Sequence, residues 1–258
     1  MRVLLLSVVL VFFSCSQGLA AEAPVQKPRI AIIIDDIGNN RTDLDAALLP
    51  GNLTFAVLPF TPYSRAFALR AHHQQKEIIL HAPMQALNGN RLGPGGLTSL
   101  MSAAEVKLAL QRSLDAVPHV VGVNNHMGSY FTQLPQPMRA VMETLQHRRL
   151  YFIDSRTSEF SIAETTAAEY GVPVAHRHVF LDNQTDDYYL QQQWHQLIRQ
   201  ARRQGQAIGI GHPYPQTLAF LKRQLPKLAQ QNIELVFASQ LTKQDKPDLT
   251  GTLLQISQ

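Results

Sequence analysis

Short apolar runs recur along this chain from residue 29 onward, with segments of helical periodicity between them. The strand candidates are 29–34, 53–58, 77–80, 120–124, 150–153, 178–181, 207–210 and 233–237. Most are continuous apolar stretches, not alternating ones, which is how strands buried on both faces read. The intervening segments carry helix signals. Ser102 and Glu105 form a capping box ahead of Val106, Leu110, Leu114 and Val117. Met138, Val141, Met142 and Leu145 sit at helical spacing. Asp186 opens a segment whose Leu190, Trp194, Ile198 and Ala201 share one stripe, with Gly205 at its C-terminal end. A further helix over 216–231 should be split by Pro226.

Strand and helix in alternation, about every 25–30 residues, predict α/β architecture with a parallel sheet. Seven or eight such units fit one closed barrel better than two domains, and an open doubly wound sheet is the competing arrangement. No Gly/Ser/Pro linker divides the chain, and Gly89–Gly96 reads as a loop tip.

The first twenty residues do not belong to this pattern. Arg2 precedes an apolar run from Val3 to Phe13, too short for a permanent span, and Gly18 and Ala20 occupy the −3 and −1 sites of a cleavage after Ala20. This predicts a signal peptide over 1–20, a loose leader over 21–28, and a single barrel domain over 29–258. An uncleaved anchor is the alternative. The expected setting is the periplasm, with no stable membrane span after cleavage. The only cysteine, Cys15, lies in the signal segment, so the mature chain has neither disulfide nor thiolate chemistry. The net charge of +4 is spread out, with Arg148-Arg149 and Arg202-Arg203 reading as helix ends. Nothing in this pattern suggests nucleic acid.

Candidate chemistry recurs at one place in each unit. Asp35-Asp36, His81, Asn124-Asn125-His126, Asp154-Ser155-Arg156, Asp182-Asn183 and His212 each follow an apolar run. Each therefore stands at the carboxyl end of a strand, and in a parallel barrel those ends share one rim, where barrel enzymes work. Adjacent strand residues face opposite ways, so a turn at the strand end must bring both aspartates to that rim. Two histidines and one carboxylate at strand ends match a hydrolytic zinc site with an open position. One aspartate of the Asp35-Asp36 pair, with His81 and His126, is the expected ligand set of a divalent metal. Zinc leads, with Mn, Fe, Co or Ni also compatible with N/O donors. The other aspartate of the pair could act as base. His212, in Gly-Ile-Gly-His-Pro, could protonate a leaving amine. Asp154 could orient His212 or a ligand histidine, or cap the helix near Ser158. Tyr63, Tyr130 and Tyr214 follow strand ends, where rings could line a carbohydrate groove. The remaining histidines read as surface or packing residues.

Ile30 to Gly38, with its two aspartates after an apolar strand, resembles the first motif of the polysaccharide deacetylases. Glu77–Met84, Gly122–Ser129, Phe152–Ser155 and Gly209–Pro213 look like the divergent polysaccharide deacetylase branch in particular. The resemblance spans residues 29–240. It implies a distorted (β/α) barrel of the deacetylase and glycoside hydrolase type, and metal-assisted removal of acetyl groups from an N-acetylated envelope glycan. It also implies Asp35 as base, Asp36 and His81 as metal ligands, and His212 as acid. The family's second motif has two histidines four residues apart. Here Gln85 stands four residues after His81, so His126, ending the next strand, is the candidate for the missing ligand. That departure motivates the rival expectation of a barrel that binds a glycan or a protein partner without turnover. A glycoside hydrolase is a third reading, with Asp35 paired to Asp154 or Asp182.

Overall fold

The computed structural model describes residues 27–243. The expected signal peptide, Cys15 and most of the leader lie outside the described residues. Strands β1 (Arg29–Ile37), β2 (Thr54–Val57), β3 (Glu77–Met84), β4 (Val120–Met127) and β5 (Tyr151–Asp154) follow one another, with α1 (Ser64–His73), α2 (Ala103–Ala116) and α3 (Pro135–Arg148) as crossovers. After α4 (Ala163–Glu169) come β6 (Val174–His176) and β7 (Val179–Phe180), then α5 (Asp187–Gln204), β8 (Gln206–Gly211), α6 (Pro215–Gln224) and β9 (Glu234–Leu235). The sheet order is β6-β5-β4-β3-β2-β1-β8-β7, and its strand pairs are parallel, with β9 added beside β1.

The local signals act as their chemistry dictates. Ser102 and Glu105 cap α2 reciprocally. Asp186 caps α5 through Tyr189 N–H, and Gly205 ends that helix with φ +81°, a conformation free of cost only for glycine. Pro226 falls in a 3-10 turn (Leu225–Lys227), so the long helix expected over 216–231 is broken at that point.

Side-chain parity divides the molecule into two layers. Ile30, Ile32 and Ile34 of β1 face outward into a large core with Phe55, Phe67, Leu110, Phe152 and Trp194 beneath the helices. Each such side chain contributes roughly 1.5–3 kcal/mol by leaving water. Ala31 and Ile33 face inward, onto a much smaller core with Ile79, Tyr151, Ile153, Ile208 and Ile210. Gly122 of β4 makes room for this inner core, because a Cβ there would lie 2.5 Å from the Tyr151 ring. Gly209 does the same on the outside, where a Cβ would meet Leu197 of α5 at 2.9 Å.

The ring is not closed by a ladder. β6 and β7 are the two edges of the sheet, and only Arg177 and His178 separate them in the chain. These two residues stitch the seam. Arg177 N–H donates to Asp154 O at 2.9 Å, and His178 N–H donates to Ile208 O at 2.8 Å. Ile208 N–H in return donates to the His178 ring at Nδ1, 3.0 Å away. β6 had no apolar run to announce it. It is three half-buried residues, Val-Ala-His, at an edge. Among the described residues no helix is long and apolar enough to cross a membrane.

Candidate active site

The inward parity of the strands, carried past the small inner core, places polar residues over it at the carboxyl rim. On β1 the sequence inward is Ala31, Ile33, Asp35; on β3 it is Ile79, His81; and on β8 it runs through Ile208 and Ile210 to His212. Asp35 and His81 are buried, and His126 and His212 are half-buried. Asp36 has the wrong parity for this interior and reaches it by a break in the strand. Its φ is +57°, and the β1–β2 register shifts between Ile34 and Ile37. Aspartate tolerates this left-handed geometry better than most residues, yet it still costs about 1 kcal/mol. This is the turn that sequence reasoning required for both aspartates to reach the rim.

Asp36 Oδ1 lies 3.0 Å from His81 Nε2 and 2.8 Å from His126 Nδ1. The two ring nitrogens are 3.1 Å apart. The donor atoms of Asp36, His81 and His126 thus all lie within 4.8 Å of one another. Asp36 Oδ1 is buried, and no neighbour reaches it in hydrogen-bond geometry. Three N/O donors about 2.0–2.2 Å from one cation stand roughly 3 Å apart, so the donor set fits a divalent ion. A proton and a cation compete for the same space. Burial works against the charge on Asp36, but His126 and His81 hold its carboxyl far below the usual range. Burial also opposes a charge on His81, while Asp35 and Asp36 raise its pKa.

Asn124 organises this group from below. Its Nδ2 donates to Asp35 Oδ1 at 2.8 Å, which leaves its Oδ1 to accept from His81 Nδ1 at 2.7 Å. A carboxylate only accepts, so the amide has one orientation, and that orientation places the His81 Nδ1 proton away from Asp36. The lone pair of Nε2 is thereby presented to the centre. Asn124 also reaches Ser155 Oγ at 3.4 Å. Asp35 Oδ2 stands 3.7 Å from His81 Nε2. Burial pushes the Asp35 carboxyl up, against the pull of His81 and His212.

His212 faces the group from β8, with Nε2 4.0 Å from Asp36 Oδ2. Its orienting partner is Asp182, not Asp154. Asp182 Oδ1 contacts His212 Nδ1 at 2.9 Å, while Oδ2 accepts from His212 N–H at 2.7 Å and from Thr217 Oγ1 at 2.8 Å. Burial opposes a charge on His212, but Asp182 and then Asp35 and Asp36 raise its pKa to about 9. Asp154 shares its parity with Phe152 and so points away from the interior. Its carboxylate accepts from Arg156 N–H at 2.8 Å and from Ser161. Neither Asp154 nor Asp182 is therefore a free second carboxylate for glycosidic chemistry. Tyr214 is exposed beside His212, with ring centres 5.6 Å apart. Asn124 and Asp182 both follow apolar runs, which marked them as rim residues. Their partners lie 89 and 30 residues away, beyond the reach of any local pattern.

The profile of the divergent polysaccharide deacetylases matches residues 32–242. An uncharacterized protein of Haemophilus influenzae is 38% identical over 95% of this chain and 88% of its own length. The uncharacterized protein YibQ of Escherichia coli is 36% identical over 89% of this chain and 72% of its own. Among solved structures, the uncharacterized protein ATU2773 of Agrobacterium tumefaciens superposes with a TM-score of 0.81 at 25% identity, over 85% of this chain and 91% of that one. A T48 deacetylase solved with substrate shares the fold, with a TM-score of 0.52 at 14% identity over 85% of this chain and 96% of that one. With its barrel, its rim of aspartates and histidines, and a matching profile over most of its length, the chain belongs to the divergent polysaccharide deacetylase family.

Proposed function

We propose that this protein is a divalent-cation-dependent hydrolase that removes acetyl groups from an N-acetylated glycan of the cell envelope. The observation that carries the proposal is the convergence of Asp36, His81 and His126, with a buried Asp36 oxygen that no hydrogen bond satisfies. These three side chains would hold the ion, for which zinc is the first choice. A cation there supplies Lewis acidity, polarising the amide carbonyl and easing the ionisation of water. Asp35, whose pKa burial raises, is suited to take the proton from the attacking water. Asn124 holds one oxygen of Asp35 and leaves the other to act. The carbon–nitrogen bond then breaks, and His212, charged near neutrality and oriented by Asp182, delivers a proton to the departing amine. Acetate and a free amino sugar result. The signal-like first twenty residues support action outside the cytoplasm.

The test is to strip the mature protein with chelator, titrate it with zinc, manganese, cobalt and nickel, and measure acetate release from N-acetylated oligosaccharides. Cation-dependent acetate release is expected. Failure to bind any of these ions overturns the proposal. Cation and glycan binding with no acetate release replaces it with a binding barrel.

A further inference from the structure

The barrel seam opens a second site on the same rim. A cavity of about 620 Å³ lies there, lined by Arg156, Ser158, Ser161, Glu164, Arg177 and His178. We infer that this seam cavity is a subsite for a carboxylate-bearing sugar of the glycan, with Arg177 as the residue that reads the negative charge. This inference rests on the deacetylase reading for the identity of its ligand as a glycan.

Arg177 is placed as an anion receptor is placed. Its Nε donates to Ser155 O at 2.7 Å and its Nη2 to Arg156 O at 2.8 Å. Its Cζ lies 3.8 Å over the Phe180 ring. Backbone carbonyls and an aromatic face thus fix the guanidinium, and Nη1 donates to nothing among the described residues. No carboxylate lies within 4.0 Å of Arg177 among the described residues, whereas the neighbouring Arg156 is paired with Glu164 at 2.6 Å. Burial lowers the pKa of the Arg177 guanidinium, outweighing Asp154 and then Asp35, which attract it from beyond contact distance. A half-buried guanidinium with no contacting acid is costly. A carboxylate entering the cavity would relieve that cost, because the planar fork matches it.

The other walls agree with an acidic sugar. His178 accepts from Ile208 N–H at Nδ1, so its proton is on Nε2 and the ring carries no charge that would compete with Arg177 for an anion. Burial drives its pKa down to about 4, which keeps it so. Glu164, which would repel an anion, is committed to Arg156 at 2.6 Å and to His176 Nδ1 at 2.8 Å. Glu159 also lines the cavity, but on its exposed side. Ser158, Ser161 and Thr165 also line the cavity, with the Ser158 hydroxyl already accepting from Gln133 Nε2 and Phe160 N–H and the Ser161 hydroxyl engaged with Asp154 and Ala163 N–H. The cavity adjoins the cation group through one residue. Ser155 O accepts from Arg177 Nε, and Ser155 Oγ accepts from Asn124 Nδ2 at 3.4 Å. A sugar in the cavity would therefore neighbour the sugar whose acetyl group faces Asp36.

The test compares two oligosaccharides of equal length, one with free carboxylates and the same one with those carboxylates amidated, by calorimetry on the mature wild-type protein. The acidic form is expected to bind roughly 10-fold or more tightly, since a hydrogen bond to a charged group carries that much. In Arg177→Gln the preference should fall to near one. Equal binding of both forms by the wild-type protein overturns the subsite, and so does a preference that survives Arg177→Gln. The wild-type comparison decides the matter even if the variant folds poorly. Acetate release measured alongside separates the two proposals. Acetate release without an acidic preference removes the subsite and leaves the deacetylase. An acidic preference without acetate release or cation binding supports the subsite and removes the deacetylase.

Discussion

The two ends of the barrel hold buried polar groups in opposite states. At the amino-terminal end, Glu77 Oε1 accepts from Thr54 Oγ1 at 2.8 Å, from Tyr151 Oη at 2.8 Å and from Ser239 N–H at 3.2 Å. Thr54 Oγ1 in turn accepts from Ala238 N–H at 3.0 Å. That network closes on itself and ties β2, β3 and β5 to the chain after β9. At the carboxyl end, three donor atoms crowd together and Asp36 Oδ1 finds no hydrogen bond. A closed network stabilises a fold, whereas an unsatisfied one in strained backbone marks a place kept for something else.

The sharpest way to break this contrast is at Asp36. An asparagine at this position would tolerate the left-handed backbone but lacks the charge. Asp36→Asn should lower cation affinity by more than the roughly 10–100-fold that outer-shell partners command, with no loss of thermal stability. Calorimetric titration beside a melting curve reads both, and retained affinity would put the cation elsewhere. Next in size is Asn124. Asn124→Ala frees His81 from its imposed tautomer and Asp35 from its donor, and should cost roughly 10–100-fold in cation affinity. Asn124→Asp should fail as well, because it sets a carboxylate against Asp35. An unchanged titration would show that Asn124 merely fills space. At the opposite end, Glu77→Ala should destabilise the fold by about 1–3 kcal/mol in denaturant while cation affinity holds, since three donors lose their acceptor. Loss of affinity there would mean that the two ends are coupled.

The smallest effect is expected at the seam. The folded pKa of His178 is about 4, below its ordinary 6.5, so between these values the unfolded chain binds the proton more readily. Stability should be full above pH about 6.5, decline as the pH falls toward about 4, and then level off for this group. Glu164, lowered to about 2 from 4.5, adds stability that is present above its unfolded pKa and lost as the pH falls toward 2. In His178→Asn the amide oxygen can still accept from Ile208 N–H. That variant should flatten the upper slope and keep the lower one. Denaturant titrations from about pH 3 to about pH 7 would show it, and an unchanged upper slope would assign the decline to another group.

The chain's own pattern determined a good deal. Continuous apolar runs, helix caps and Pro226 announced eight of the nine strands among the described residues and the break after α6, because each is a matter of a few neighbouring residues. The strand-end positions of His126 and His212 were legible for the same reason, whereas β1 runs on to Ile37 and β3 to Met84, so Asp35 and His81 lie inside their strands, toward the carboxyl end. The tertiary structure decided what those residues touch. Asp154 follows an apolar run as plainly as Asp35 does, yet side-chain parity relative to the interior of the curled sheet turns one outward and the other inward. The pairing of His212 with Asp182 and of Asn124 with Asp35 depended on which strands became neighbours, as did the position of Arg177 at the seam, out of contact with any carboxylate among the described residues. A linear pattern tells where a strand ends, but only the curvature of the whole sheet sets which strand ends face one another.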